Sequence, residues 1–88
     1  MSTKEQTFAI GDEVQVTLEG MQKYARSTPA YMGYTPETIN WLQRLSGFLA
    51  REEAGTILVV SCSGDHLTVH WPSCDHAIGV PSYMVDRV

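Results

Sequence analysis

The stretch GTILVVSCSGDHLTVHW, residues 55–71, decides how this chain folds. Its first half is β-branched and aliphatic, Ser63-Gly64-Asp65 is a tight-turn signal, and His66 to Trp71 alternates in polarity, which together predict a β-hairpin. With the turn centred on Ser63-Gly64-Asp65, Leu58, Val60, Leu67, Val69 and Trp71 point one way, and Ile57, Val59, Thr68 and His70 point the other. Both faces of one strand are then apolar. Ile57 and Val59 need a cover, either a further element of the chain or a partner chain.

Upstream, FAIGDEVQVTL (residues 8–18) turns at Gly11-Asp12 and sets Val14, Val16 and Leu18 on one face of a first strand. Downstream of Pro72, a polar Ser73-Cys74-Asp75 loop leads to a short strand over residues 76–80. PSYM (81–84) reads as a single 3₁₀ turn and VDRV (85–88) as a last strand. Five short strands in this order predict a mainly β fold, a five-stranded small barrel. Residues 20–54 are a loop and helix inserted between the first and second strands. Thr35 is the expected N-cap of that helix, Pro36 its N1 residue and Glu37 its complement to the helix dipole. Ile39, Trp41, Leu42, Leu45, Phe48 and Leu49 fill half of the helical wheel to about Glu53, and Gly55 is the expected stop.

A chain of 88 residues makes one domain, 1–88, and a core of this size gives modest stability, which favours homo-oligomerisation. The opening MSTKEQ, residues 1–6, is expected to be flexible, with no signal peptide. No run of about 18 apolar residues spans a membrane, so a cytoplasmic protein with free thiols is expected. The net charge is -4 and residues 52–86 lack lysine and arginine, which makes nucleic acid an unlikely partner. Stacking of single-stranded bases on Tyr24 and Tyr34 is the form of nucleic-acid binding left open.

The order of strand, long excursion, hairpin, short strand, 3₁₀ turn and short strand resembles that of SH3-like small barrels. Within that superfamily, TFAIGDEV (7–14) and VPSYMVDRV (80–88) are similar to the opening and closing stretches of the type II dihydrofolate reductases, plasmid-borne enzymes often carried on integron gene cassettes. The resemblance covers less than a quarter of the chain. It implies the barrel, a mobile-element origin and, by analogy, self-association. The reductases line a shared central pore with a Val-Gln-Ile-Tyr-Pro motif; here the aligned residues are Ala77, Ile78, Gly79, Val80 and Pro81, and only the proline matches. Ile78 and Val80 offer no hydrogen bond to a pterin or nicotinamide. No catalytic residue is carried over, and no cofactor is expected. The enzyme alternative is a small barrel in which Thr68, His70, Ile78 and Val80 line a pore at a symmetry axis.

Both cysteines and all three histidines lie within CSGDHLTVHWPSCDH, residues 62–76. His66 and His70 on one strand stand about 13 Å apart, too far to share an ion, and Cys62 faces the other way. The remaining combination is Cys74, His76 and a histidine from a neighbouring strand or subunit. The preferred reading is a buried Cys62, surface histidines and a polar loop, with no metal assigned. Asp65-His66 and Asp75-His76 are sequence neighbours whose side chains diverge in extended chain, so neither is read as an acid-base pair; Asp65 is assigned to the turn. MQKYARSTPAYMGY (21–34) crowds aromatic and methionine side chains into one loop, a composition suited to recognition. Tyr24, Tyr31, Met32, Tyr34, Trp41, Phe48 and His70 are the candidate binding residues. The expected function is a binding or assembly module for a small ligand, a peptide or a second copy of the chain.

Overall fold

The hairpin forms, but with one residue more on its first strand than alternation allows. The computed structural model describes residues 7–27 and 35–88; the expected flexible segment 1–6 lies outside them. Strand β2 (Gly55–Val60) pairs antiparallel with β3 (His66–His70), setting Ile57 opposite Val69, Val59 opposite Thr68 and Val60 opposite Leu67. Between Ile57 and Val59 the register shifts at a β-bulge. The bulge overturns the expected facing: Ile57 joins Val69 in the core, fully buried, while Leu58 and Val59 both face solvent, 45% and 53% exposed. Ile57 is therefore covered and Val59 is not.

Strands β1 (Glu13–Val16), β4 (Ile78–Pro81) and β5 (Val85–Arg87) complete an antiparallel sheet in the order β4-β3-β2-β1-β5. A 3₁₀ turn, Ser82–Met84, separates the last two strands as expected. The edge strands β4 and β5 do not pair with each other, so the sheet is not closed. The core is mainly β: Val14, Val16, Ile57, Leu67, Val69, Ile78, Val80 and Val85 all point to one face.

Helix α2 (Pro36–Arg51) lies on that face. Its start is as the sequence predicts, with Thr38 donating its backbone N–H to the Thr35 hydroxyl at 3.2 Å and Pro36 in the first turn. Its end differs. Glu52, with φ 53° and ψ 40°, is the left-handed cap, and the Glu52 and Glu53 amides reach back to the carbonyls of Leu49 and Phe48. Gly55 has another task. A Cβ there would sit 2.6 Å from Val69 Cγ1 and 2.8 Å from the Trp71 indole, so the glycine opens the space that Trp71 fills. Phe48 stacks on that indole, 4.5 Å between centroids and 13° between planes, while Leu45 is fully buried. Ile39, placed on the apolar half of the wheel, is 43% exposed at the open end of the helix.

A second helix, α1 (Leu18–Ser27), occupies part of the expected loop. The Thr17 hydroxyl accepts the Gly20 amide at 2.9 Å, Glu19 sits in the first turn and Arg26 in the last. The cap ends β1 at Val16 and turns Leu18 away from the Val14 face into solvent. Gly20 lets α1 rest on the 3₁₀ turn, because a Cβ would lie 2.5 Å from Met84 Cα and 2.8 Å from the Tyr83 carbonyl oxygen. Neither backbone atom can move aside cheaply.

Gly20→Ala is thus expected to destabilise the fold by about 1–3 kcal/mol, the range for overpacking. Gly47→Ala, where the new Cβ meets only the flexible tip of Arg51 at 3.3 Å, is expected to stabilise it by up to about 1 kcal/mol through helix propensity. Urea unfolding of the two variants beside the parent checks the opposite signs.

Candidate functional site

The described residues among those proposed for binding do not gather at one place. Tyr24 and Trp41 meet edge to face at 5.1 Å, 63° between planes, and the Trp41 indole N–H donates to the Gly79 carbonyl at 2.9 Å. This pair fastens α1 and α2 to the β4 edge. Phe48 is spent in the core stack. His70 pairs with Thr56 on the opposite face of the sheet. Tyr31, Met32 and Tyr34 lie outside the described residues. The four residues named for a pore also divide: Ile78 and Val80 are core, whereas Thr68 sits opposite Gly79 on the outer face with His70. They line no common surface within the chain.

Two other places hold functional groups. The first is a cleft of about 670 Å³ bounded by the β2–β3 turn, the 3₁₀ turn with β5, and the segment before β1. Phe8, Val60 and Val85 give it apolar walls; Ser61, Ser63, Ser82, Asp65 and Asp86 bring hydroxyls and carboxylates; Tyr83 offers a half-open ring. Among the described residues, no lysine, arginine or histidine lines it. Asp65 accepts from the Ser63 and Ser61 hydroxyls at 2.5 and 3.2 Å, the turn role expected of it, and these bonds hold its carboxyl below the usual range. The ammonium of Lys23 lies 4.8 Å from the Tyr83 ring centre, so this ring already attracts a cation. Cys62, expected to be buried, is exposed on the cleft wall because the strand ends at Val60.

The second place is the β3–β4 loop. Cys74 returns its amide to the Trp71 carbonyl at 2.9 Å, so the chain here is a turn rather than extended. Side chains that would diverge on a strand therefore meet, which corrects the reading of Asp75-His76: Asp75 Oδ1 is 2.8 Å from His76 Nδ1. The Cys74 thiol, 6% exposed as a residue, lies 3.8 Å from the same nitrogen and 3.5 Å from Arg44 Nη1. The bond from His76, then its charge, holds the Asp75 carboxyl below the ordinary range. A thiol-imidazole-carboxylate relay needs the two partners on different ring nitrogens. Here both address Nδ1, so the trio is not a nucleophile with its base. Its donor atoms all lie within 4.8 Å of one another.

This loop is held from outside. Glu53 accepts the Ser73 amide at 2.7 Å and its hydroxyl at 2.8 Å, and Arg51 donates to Glu53 at 3.2 Å and to Ser73 at 3.0 Å. The end of α2 thereby fixes the residue next to Cys74. Beside the loop, a cavity of about 360 Å³ is lined by Glu37, Trp41, Arg44, His76 and Ile78 among others. Sequence reasoning missed Arg44, which lies outside the apolar half of the wheel, and the cleft residues Phe8, Tyr83 and Asp86, which no local motif marks.

Comparison with known proteins returns no matching family model, no matching curated protein and no matching solved structure. Among the described residues, no helix is long and apolar enough to cross a membrane.

Burial pushes the Glu53 carboxyl up, but the Ser73 amide, the Ser73 hydroxyl and Arg51 together outweigh it and leave it below the ordinary range. A carboxyl depressed in the folded state adds stability above its unfolded value near 4.5, and that stability disappears as pH falls through the folded value. Glu53→Gln should accordingly melt below the parent at pH 7, and the two should converge in acid. A melting difference that persists unchanged at pH 3 would show that the carboxylate is not the cause.

Proposed function

We propose that the chain is a non-catalytic binding module of the SH3-like small-barrel type, and that its ligand is a peptide segment or small molecule carrying a positive charge. The barrel reading is supported by five antiparallel strands in the order β4-β3-β2-β1-β5 with a 3₁₀ turn before the last. The binding reading rests on the cleft: the Asp65 carboxylate over apolar walls, a tyrosine face, and no basic side chain among the described residues of the lining. Such a site rejects anions and takes a cation whose aliphatic stem packs on Phe8, Val60 and Tyr83. The Lys23 ammonium over Tyr83 is the intramolecular precedent for that recognition.

The exposed Leu58 and Val59 favour a second reading, self-association through the outer face of the sheet. Two successive apolar side chains on a central strand make a natural seed for an isologous contact.

Short lysine- and arginine-containing peptides titrated into isotope-labelled protein should move amide resonances of residues 61–65 and 82–86. Asp65→Asn, which keeps the acceptor of the turn, should weaken that binding by about two- to fivefold, the range for one exposed ion pair. Tyr83→Ala should weaken it by about tenfold. Shifts that spread instead over Leu58, Val59 and Thr68 and grow with protein concentration would replace ligand binding by self-association, and sedimentation velocity of Val59→Lys would then show loss of the oligomer.

A further inference from the structure

We propose that Cys74, Asp75 and His76 form a binding site for a divalent transition metal ion of the zinc type. The observation is the convergence of three different donors on one turn: a thiol sulfur, a carboxylate oxygen and an imidazole nitrogen, all within 4.8 Å of one another. Tetrahedral zinc, with bonds of roughly 2.3 Å to sulfur and 2.0–2.2 Å to nitrogen and oxygen, requires its ligand atoms to stand about 3.3–3.6 Å apart. The sulfur-nitrogen separation of 3.8 Å already lies close to that spacing, and the nitrogen-oxygen separation of 2.8 Å has to open by about half an ångström. That opening exchanges one hydrogen bond for two metal bonds. The Asp75 and His76 side chains are free to make it, at 95% and 57% exposure.

The rest of the loop is arranged for the same end. The thiol is held at the inner side of the turn, with Arg44 Nη1 directed at the sulfur at 3.5 Å. Ser73, one residue before the thiol, is fixed by Glu53 and Arg51 rather than left to the loop. Thiolate and carboxylate together balance a divalent charge, and the pairing of sulfur with imidazole selects zinc, cobalt or nickel over magnesium and calcium. Three protein ligands leave a fourth position open, and His76 borders the cavity of about 360 Å³ from which water or a small molecule can reach it. The site is independent of the cleft at the β2–β3 turn, and its failure would leave the binding-module reading untouched.

Cobalt(II) is the test, added to the full-length reduced chain while the sulfur-to-cobalt charge-transfer absorption is followed. The parent and Cys62→Ser should show this absorption saturating at one ion per chain, and Cys74→Ser should lack it. His76→Gln, a change on an exposed side chain that leaves the core intact, should bind at least about tenfold more weakly, the lower end of the loss seen even for outer-shell partners. Zinc should bleach the absorption by competition. Absence of the absorption in the parent, its survival in Cys74→Ser, its dependence on Cys62, or saturation at one ion per two chains would each overturn the single-chain site.

Discussion

The stack of Phe48 on Trp71 over Gly55 is the contact on which the rest of the structure depends. It joins the last turn of α2 to the residue just past β3 and uses the bare backbone at the start of β2 as its floor. Without it, a segment of almost forty residues between β1 and β2 would be an appendage to a thin sheet. With it, α2 roofs the core, and α1 packs beside it on the 3₁₀ turn. Trp71 also sits at the mouth of the β3–β4 loop, receiving the Cys74 amide on its carbonyl. The ring that closes the core therefore sets the geometry of the turn that follows it.

This economy explains why Tyr24, Trp41 and Phe48, conspicuous in the sequence, pack between helix and sheet. A small domain has few large apolar side chains, and burying each contributes on the order of 2 kcal/mol. Tyr24, Trp41 and Phe48 are consumed in holding helices to sheet. What is left for partners is at the periphery, at loops whose polar groups were available because no ladder needed them. The cleft and the Cys74 turn are both of this kind, and they lie at different ends of β3: the cleft at its start, the thiol turn just past its end.

Much of the fold was legible because it is written in local signals. The Thr35-Pro36 start of α2, the Ser63-Gly64-Asp65 turn, the Ser82–Met84 3₁₀ turn and five strands each follow from a few neighbouring residues. Helix α1 was just as legible, in Thr17 followed by Gly20 and flanked by Glu19 and Arg26, but the alternation of Val14 and Val16 carries the eye on to Leu18 and hides the cap. The site is harder to read. Arg44 reaches Cys74 across thirty positions, Glu53 reaches Ser73 across twenty, and Asp75 meets His76 only because a turn replaces extended chain. These are tertiary facts with no pattern in the one-dimensional string. The facing of β2 failed for a subtler reason: period-two alternation assumes a ladder without an extra rung.

That extra rung has a meaning of its own. Ile57 must oppose Val69 and Val60 must oppose Leu67, and a single residue between Ile57 and Val60 would serve, since only Thr68 stands between the two partners. The chain carries two. One of Leu58 and Val59 is therefore surplus to the core, dispensable for register and unfavourable for solubility. A residue that the monomer can spare and that its solvent face would prefer to lose is a mark of a surface shaped by something other than the stability of the isolated chain.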